Sequence, residues 1–381
     1  MRLLFASLAS YGHIYPLLPL AIAAREAGHD VVFATGEQFL PSLRKAGLEV
    51  AVAGLPFREV FSRLQTGGER PSSPEKLTGL IITAFGDVLP RQVVEDLGAV
   101  LTAARPDLVV HEVGNAGSAL AAKIASIPAV CHGFGRASRT PMLAAMDGPF
   151  RSFAAELGVD LPGEYPYTLG NPYLDICPPS LQAAEFKAAV DRIELRPVAW
   201  NEPGELPVRV VLDRCRPLVY LTLGTEFGNV DVLRQAIGGL SRLPVDVLVS
   251  TGPEKQLTAL GDVPGNVRVK AWVPQADLLP HVDLVVHHGG SGTTLGALAA
   301  GLPQLFLPQG ADQFANAETV LETGAGGRVL PEEFNADVVA EQARKLLVDG
   351  SVTAAARRLS AEIAGMPSPA DVVQRLPELA R

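Results

Sequence analysis

Val285-Val-His-His-Gly-Gly-Ser-Gly-Thr-Thr-Leu-Gly-Ala-Leu298 changes period twice within fourteen residues. An apolar run ends at His287-His288, a glycine-rich turn follows, and a helical pattern begins near Thr293. A strand without alternation is apolar on both faces, which points to a parallel sheet covered by helices. Gly289, Gly290 and Gly292 let the backbone approach a ligand closely, and the N–H groups and dipole of the helix start favour an anion, most simply a phosphate. An imidazole at the strand end can donate a hydrogen bond to that phosphate. The turn is neither GxGxxG after the first strand nor a Walker A loop, because no Lys follows the glycines. Alone, it would also serve as a tight strand–helix turn, so its neighbours decide its meaning.

Outward from this turn, strands and helices alternate. Leu218–Leu223, Val245–Ser250, Val267–Ala271, Leu284–Val286 and Gln304–Leu307 read as strands. Val230–Leu240, Thr293–Ala300, Phe314–Thr323 and Ala336–Leu347 read as helices. The first half repeats the scheme, with strands at Leu3–Ser7, Val31–Thr35, Asp107–His111 and Pro128–His132. Its helices are Leu17–Ala27, bracketed by Pro16 and Gly28, then Phe39–Ala46 and Ala116–Ala125. The fold class is therefore α/β, with two doubly wound Rossmann-like domains whose strand ends are expected to border a cleft. The expected boundaries are an N-terminal domain over 1–195, a hinge-like linker over 196–207 and a C-terminal domain over 208–365. A final helix over 366–381 could lie on either domain. Ser62–Lys76 and Gly133–Pro179, rich in chain breakers, are expected to be loops.

A chain of 381 residues suits two cores better than one. With 48% hydrophobic and 19% charged residues it is a globular chain, and a net charge of −9 without a basic run disfavours nucleic acid as a partner. Cys131, Cys177 and Cys215 form neither a disulfide framework nor a zinc site. The apolar run at Met1–Leu8 is short for an export signal, and no stretch approaches the ~20 uninterrupted apolar residues of a membrane span. The expectation is a cytoplasmic protein with no membrane partner.

Three further stretches accompany the glycine turn. Leu221-Thr-Leu-Gly-Thr-Glu-Phe-Gly228 ends a strand with Gly224-Thr225, a flexible backbone and a hydroxyl. Ala271-Trp-Val-Pro-Gln275 sets Trp272 where an indole can stack on a nucleobase. Leu307-Pro-Gln-Gly-Ala-Asp-Gln313 ends another strand with Asp312 and Gln313, suited to sugar hydroxyls or to capping the next helix.

Trp272-Val-Pro-Gln275, then His288-Gly-Gly-Ser-Gly-Thr293, then Asp312-Gln313 resemble the donor-binding signature of family 1 glycosyltransferases of the GT-B fold. Gly12-His13-Ile-Tyr-Pro16 is similar to that family's N-terminal catalytic turn, so the resemblance spans both halves. The His-His-Gly-Gly-Ser-Gly-Thr-Thr form looks most like actinobacterial enzymes that glycosylate macrolide, enediyne, glycopeptide and aromatic polyketide antibiotics. The resemblance implies that Trp272 stacks on the base, with Val273 and Gln275 at its edge. It implies that Thr225, His288, Gly290, Ser291, Gly292 and Thr293 hold the diphosphate, and that Asp312 and Gln313 hold the donor sugar. Plant enzymes that use uridine diphosphate usually carry a Glu eight residues after the motif histidine; here that residue is Gly296. Its absence favours a dTDP-sugar over a UDP-sugar donor.

His13 is then the expected general base for the acceptor hydroxyl. Its orienting carboxylate is Glu112 in Val109-Val-His-Glu112, where the family usually has Asp; Asp107 lies at the far end of that strand. His111, His132 and His287 are further candidates to face the cleft. No metal-ligand spacing or DxD motif occurs, so no metal cofactor is expected. The implied activity is an inverting transfer of a deoxysugar to an apolar natural-product aglycone such as an enediyne or polyketide. Phe57, Phe85, Phe134, Tyr165 and Tyr173 are expected to line the acceptor, and the same apolar surface leaves a homodimer open. A nucleotide-sugar 2-epimerase and a non-catalytic partner subunit share this architecture. The first would need acidic residues near the sugar C2, and the second would not need His13, His288 and Asp312.

Overall fold

The computed structural model describes residues 1–65, 73–137, 139–207, 215–224, 229–252 and 260–380. The chain forms two compact units, Met1–Arg196 with Pro367–Arg381, and Pro197–Met366.

The first unit is built on seven parallel strands: β1 (Arg2–Ala6), β2 (Asp30–Thr35), β3 (Glu49–Val52), β4 (Leu108–Glu112), β5 (Ala129–His132), β6 (Tyr173–Asp175) and β7 (Arg192–Glu194), in the order β3-β2-β1-β4-β5-β6-β7. The strand order reverses between β1 and β4, whose pairing runs from Leu3 opposite Leu108 to Ala6 opposite His111. Doubly wound sheets bind ligands at such reversals, beyond the strand C-terminal ends. Leu4, Ala6 and Val109 face the helices on one side, packing with Val93, Leu97, Ala121 and Ala122. Each such buried Leu or Val contributes about 1.5–3 kcal/mol.

The second unit has six parallel strands: β8 (Leu218–Thr222), β9 (Asp246–Ser250), β10 (Val267–Lys270), β11 (Leu284–His287), β12 (Gln304–Phe306) and β13 (Gly326–Arg328), in the order β10-β9-β8-β11-β12-β13. Its reversal lies between β8 and β11, where Thr222 pairs with His287. Val219, Leu221, Val247, Val249, Val286 and Leu305 make its core with Leu233, Ile237 and Leu240 of the helix Val230–Leu240.

Several expectations need correction. Gly133–Pro179 is not irregular throughout, because Pro141–Glu156 is a helix of 16 residues. Thr140 caps it by accepting from the Leu143 N–H at 3.3 Å, and Pro141 occupies the first turn, where a missing donor costs nothing. Its buried face, Met146, Phe150, Phe153 and Ala154, has helical spacing that the surrounding prolines mask in the sequence. Ser62–Lys76 is entered from both sides by helices, Phe57–Leu64 and Pro74–Thr83; residues 66–72 lie outside the described set. The short strands β3, β7 and β13 and the helix Gly350–Gly365 were not expected.

The helical run Glu75–Ala104 is long and apolar enough, by length and composition, to cross a membrane. Asp87, Arg91, Glu95 and Asp96 interrupt it in the sequence, and Leu89, Val93, Leu97 and Leu101 along it are buried in the core of the first unit.

The segment expected to be a hinge packs on the second unit. Asn201 Oδ1 accepts from the Ala276 N–H at 2.6 Å, and its Nδ2 donates to Asp277 Oδ2 at 3.2 Å. The C-terminal helix Pro369–Val373 packs on Leu18–Glu26 of the first unit. The Arg196 N–H donates to the Pro367 carbonyl at 2.7 Å, so the chain leaves and re-enters that unit at adjacent points.

Candidate active site

Each sheet reversal carries a cluster of polar side chains. In the first unit, β1 ends at Ala6 and the chain turns into the short helix Tyr11–Ile14, which carries His13. Glu112 ends β4, the neighbouring strand, and is fully buried. His13 Nδ1 donates to Glu112 Oε1 at 2.9 Å. The same oxygen accepts from the Leu8 N–H at 3.2 Å, and Oε2 accepts from the Gly114 N–H at 2.5 Å. These donors satisfy both oxygens of a carboxylate that burial has cut off from water. With the carboxylate as acceptor, the hydrogen of neutral His13 is on Nδ1 and Nε2 is the basic nitrogen. The extra methylene of Glu112 is thus accommodated by backbone donors from two loops.

Gly114 is a member of the cluster that the sequence did not reveal. A Cβ there would lie 3.0 Å from Glu112 Oε2 and 3.0 Å from His13 Cε1. Its spacing from Glu112 carries no motif.

His111 and His132 do not present themselves as bases. Both are fully buried, and burial pushes each down to about 4. His111 Nδ1 donates to the Glu112 carbonyl at 3.2 Å, and its Nε2 accepts from Asn171 Nδ2 at 3.3 Å. His132 Nδ1 donates to the Gly133 carbonyl. Asp107 pairs with Arg2 at the other end of the strand.

Of the expected acceptor residues, three gather around His13. The rings of Phe57 and Phe134 stand edge-on to the imidazole at 5.6 and 5.2 Å, and Phe85 meets Phe57 at 5.3 Å. All three are half-buried. Tyr173 is instead sealed in the core against Cys131 and Phe186, and Tyr165 packs on Phe186 at 4.8 Å. These two tyrosines hold the loops together, and Tyr173 offers no surface to a ligand.

In the second unit, β11 delivers His287 and His288, and the helix Ser291–Ala299 begins three residues later. Its first N–H groups have no partner within the helix. The turn needs glycine at two places. Gly289 has φ +99° with its missing Cβ against the Gln313 backbone, and Gly290 leaves room for the His288 ring, 2.6 Å from where a Cβ would stand. Gly224, with φ +73°, yields to the same ring from β8. Only Gly292 of the three turn glycines opens onto free space.

His288 is buried and held neutral, down to about 4, by desolvation that outweighs the Asp312 carboxylate and a backbone hydrogen bond with Thr222. Its Nδ1 is buried with no hydrogen-bond partner among the described residues. His287 is structural: Nε2 donates to Gln304 Oε1 at 2.8 Å, Nδ1 accepts from the Gly289 N–H at 3.2 Å, and burial pushes it down to about 3.

Trp272 is 42% exposed, Val273 is buried among Leu278, Leu279 and Val285, and Thr293 Oγ1 donates to Gln275 Oε1 at 3.3 Å. Position 296 is closed, because a Cβ on Gly296 would meet Leu279 Cδ1 at 3.1 Å. Asp312 Oδ2 accepts from Ser291 Oγ at 2.8 Å. Gln313 departs from its expected role: it is 1% exposed, and its Oε1 accepts from the Gln309 and Gly310 N–H groups at 2.8 and 3.2 Å. Its carbonyl shapes the loop. Thr225 lies outside the described residues. Among the described residues, no group of three or more His, Cys, Asp or Glu side chains is arranged to hold a metal ion.

A glycine turn at one sheet reversal and an imidazole–carboxylate pair at the other define a two-domain Rossmann-like enzyme of the GT-B class. The chain belongs to the erythromycin biosynthesis protein CIII-like family, whose N-terminal domain model matches residues 22–224 and whose C-terminal domain model matches residues 234–379. It is a glycosyltransferase of antibiotic biosynthesis. It is 34% identical to L-demethylnoviosyl transferase of Streptomyces niveus, over 99% of this chain and 97% of that one. It is 32% identical to the elloramycin glycosyltransferase ElmGT of Streptomyces olivaceus, again over 99% and 97%. The structure is similar to that of the glycosyltransferase SsfS6 of Streptomyces sp. SF2575 in complex with thymidine diphosphate, with TM-score 0.81, 31% identity and 99% of each chain covered.

Proposed function

We propose that this glycosyltransferase moves a deoxysugar from a thymidine-diphosphate donor to a hydroxyl of an apolar natural-product aglycone, with inversion and without a metal ion. The observation that carries the mechanism is the His13–Glu112 contact of 2.9 Å. In the proposed step, His13 Nε2 takes the proton of the acceptor hydroxyl while its oxygen attacks the anomeric carbon. The bond from that carbon to the diphosphate oxygen breaks on the opposite face, so a single displacement inverts the centre. Glu112 stabilises the imidazolium that forms.

The leaving diphosphate would be received by the N-terminus of Ser291–Ala299, where backbone N–H groups and the dipole meet negative charge in place of a cation. His288 could donate from its buried Nδ1 to a diphosphate oxygen once its ring takes up a proton, since its other nitrogen is engaged by the Thr222 backbone. Thymidine is favoured over uridine because position 296 holds no carboxylate for a ribose 2′-hydroxyl and Leu279 closes the space one would need. The thymidine diphosphate held by SsfS6 agrees with that preference. Phe57, Phe85 and Phe134 supply the apolar wall beside the base.

The test is the anomeric configuration of product made with a dTDP-sugar of known anomer, with and without a chelator. Inversion that is insensitive to the chelator supports the reading. Retention, or loss of activity on chelation, refutes it. Preferred binding of UDP over dTDP would overturn the donor assignment alone.

A further inference from the structure

We infer that Asn316 is a positioning residue for the donor, which together with Ser291 leaves Asp312 a single oxygen, Oδ1, for one sugar hydroxyl. The inference rests on the reading of Asp312 as the sugar-binding carboxylate.

Asn316 lies in the first turn of Gln313–Glu322 and is 6% exposed. Its Nδ2 stands 2.9 Å from the Gly289 carbonyl, 3.0 Å from Asp312 Oδ2 and 3.1 Å from Ser291 Oγ. A carbonyl and a carboxylate only accept, so the amide NH2 must face them. Two hydrogens then serve three oxygens, two from the glycine turn at Gly289 and Ser291 and one from Asp312. Ser291 Oγ donates to the same Oδ2 at 2.8 Å. Asp312 Oδ2 therefore takes two side-chain donors, and no donor reaches Oδ1 among the described residues. Hydrogen bonds to a charged oxygen are the stronger kind, so the two hold the carboxylate against rotation.

Two consequences follow. The Ser291 hydroxyl is committed to Asp312, which leaves its backbone N–H as its contribution to a phosphate. The Gln313 carbonyl is committed to the loop, so the sugar meets one carboxylate oxygen where a freely turning Asp–Gln pair would offer more. Through the Gly289 carbonyl, Asn316 also makes the phosphate turn and the sugar carboxylate one piece.

The test is calorimetric binding of dTDP and of dTDP-glucose to the full chain, as wild type, Asn316→Leu, Asn316→Ser and Asp312→Asn. The Ser variant serves if the Leu variant does not fold. The expected result is that dTDP affinity stays within about twofold while dTDP-glucose weakens about tenfold in the Asn316 and Asp312 variants alike. Equal loss for both ligands would show that Asn316 only maintains the turn, and no loss for dTDP-glucose would show that it positions nothing; either overturns the inference. Among dTDP-glucose analogues each lacking one hydroxyl, one alone should be indifferent to Asp312→Asn. Two indifferent analogues would reveal a bidentate carboxylate and overturn the single-oxygen assignment. Failure of the wild type to bind either nucleotide would instead remove the donor-site reading on which this rests.

Discussion

His13, in the short helix after β1, and Glu112, the last residue of β4, are ninety-nine residues apart in the chain and meet at 2.9 Å because β1 and β4 are neighbours in the sheet. The carboxylate is buried and held by two backbone N–H groups, whereas the imidazole side chain keeps 18% of its surface. The carboxylate is fixed by the fold, and the imidazole keeps an exposed edge.

Glu112→Gln keeps the shape and removes the charge that stabilises a His13 imidazolium. Turnover should fall between about a hundredfold and ten-thousandfold. Nucleotide affinity, which the proposed function assigns to the other unit, should not change. Steady-state kinetics beside dTDP calorimetry would check this, and a loss in both would point to misfolding.

Gly114→Ala keeps the N–H that holds Glu112 and adds a Cβ within 3.0 Å of both members of the pair. The carboxylate or the ring must give way by a few tenths of an ångström. Turnover should drop about tenfold at constant fold stability, since small misplacements of reacting groups are costly. Wild-type kcat in a folded Gly114→Ala protein would show that the close packing has no functional weight.

The alternating apolar strands and the glycine turn were legible because they are local: a strand apolar on both faces and a turn without side chains need no distant partner to be recognised. The positions of His13 and His288 beyond the ends of β1 and β11 were legible because each follows such a strand. Glu112 was found by asking which strand end could supply a carboxylate, although the backbone donors that fit its length are visible only in space. Asn316 and Gly114 were not legible, because the role of each depends on atoms from segments that the fold brings together. Gln313 and Tyr173 were misread for the converse reason: their chemistry suits a ligand, but the loop at Gln309–Gly310 and the core at Phe186 claim them first.

His288 should take up a proton when dTDP binds. Its neutral form makes a backbone hydrogen bond with Thr222, and its buried Nδ1 has no partner among the described residues, so donating to a phosphate oxygen as well calls for a protonated ring. The bound state then holds a raised pKa, and affinity weakens as pH rises through it. Calorimetry near pH 6 in buffers of different ionisation enthalpy measures the uptake. It should be larger for wild type than for His288→Gln, and equal uptake would place the proton elsewhere.

Acid should destabilise the fold through four buried histidines. Burial lowers His111, His132 and His288 to about 4 and His287 to about 3, from 6.5 in the unfolded chain. The unfolded state therefore binds more protons below pH 6.5. Stability is intact above that value and is lost as pH falls toward 4, by up to about 1.4 kcal/mol per pH unit for each group. Thermal melts between pH 7 and 5 should show a falling Tm, and His111→Asn should flatten the slope. A Tm independent of pH across that range would contradict the buried neutral assignment.

The central claim is that His13 is the base, and single-turnover transfer by His13→Ala tests it most directly. The account predicts a loss of at least about a hundredfold in the chemical step, with dTDP binding as in the wild type. Transfer within about tenfold of wild type by a folded, nucleotide-binding His13→Ala protein would contradict it.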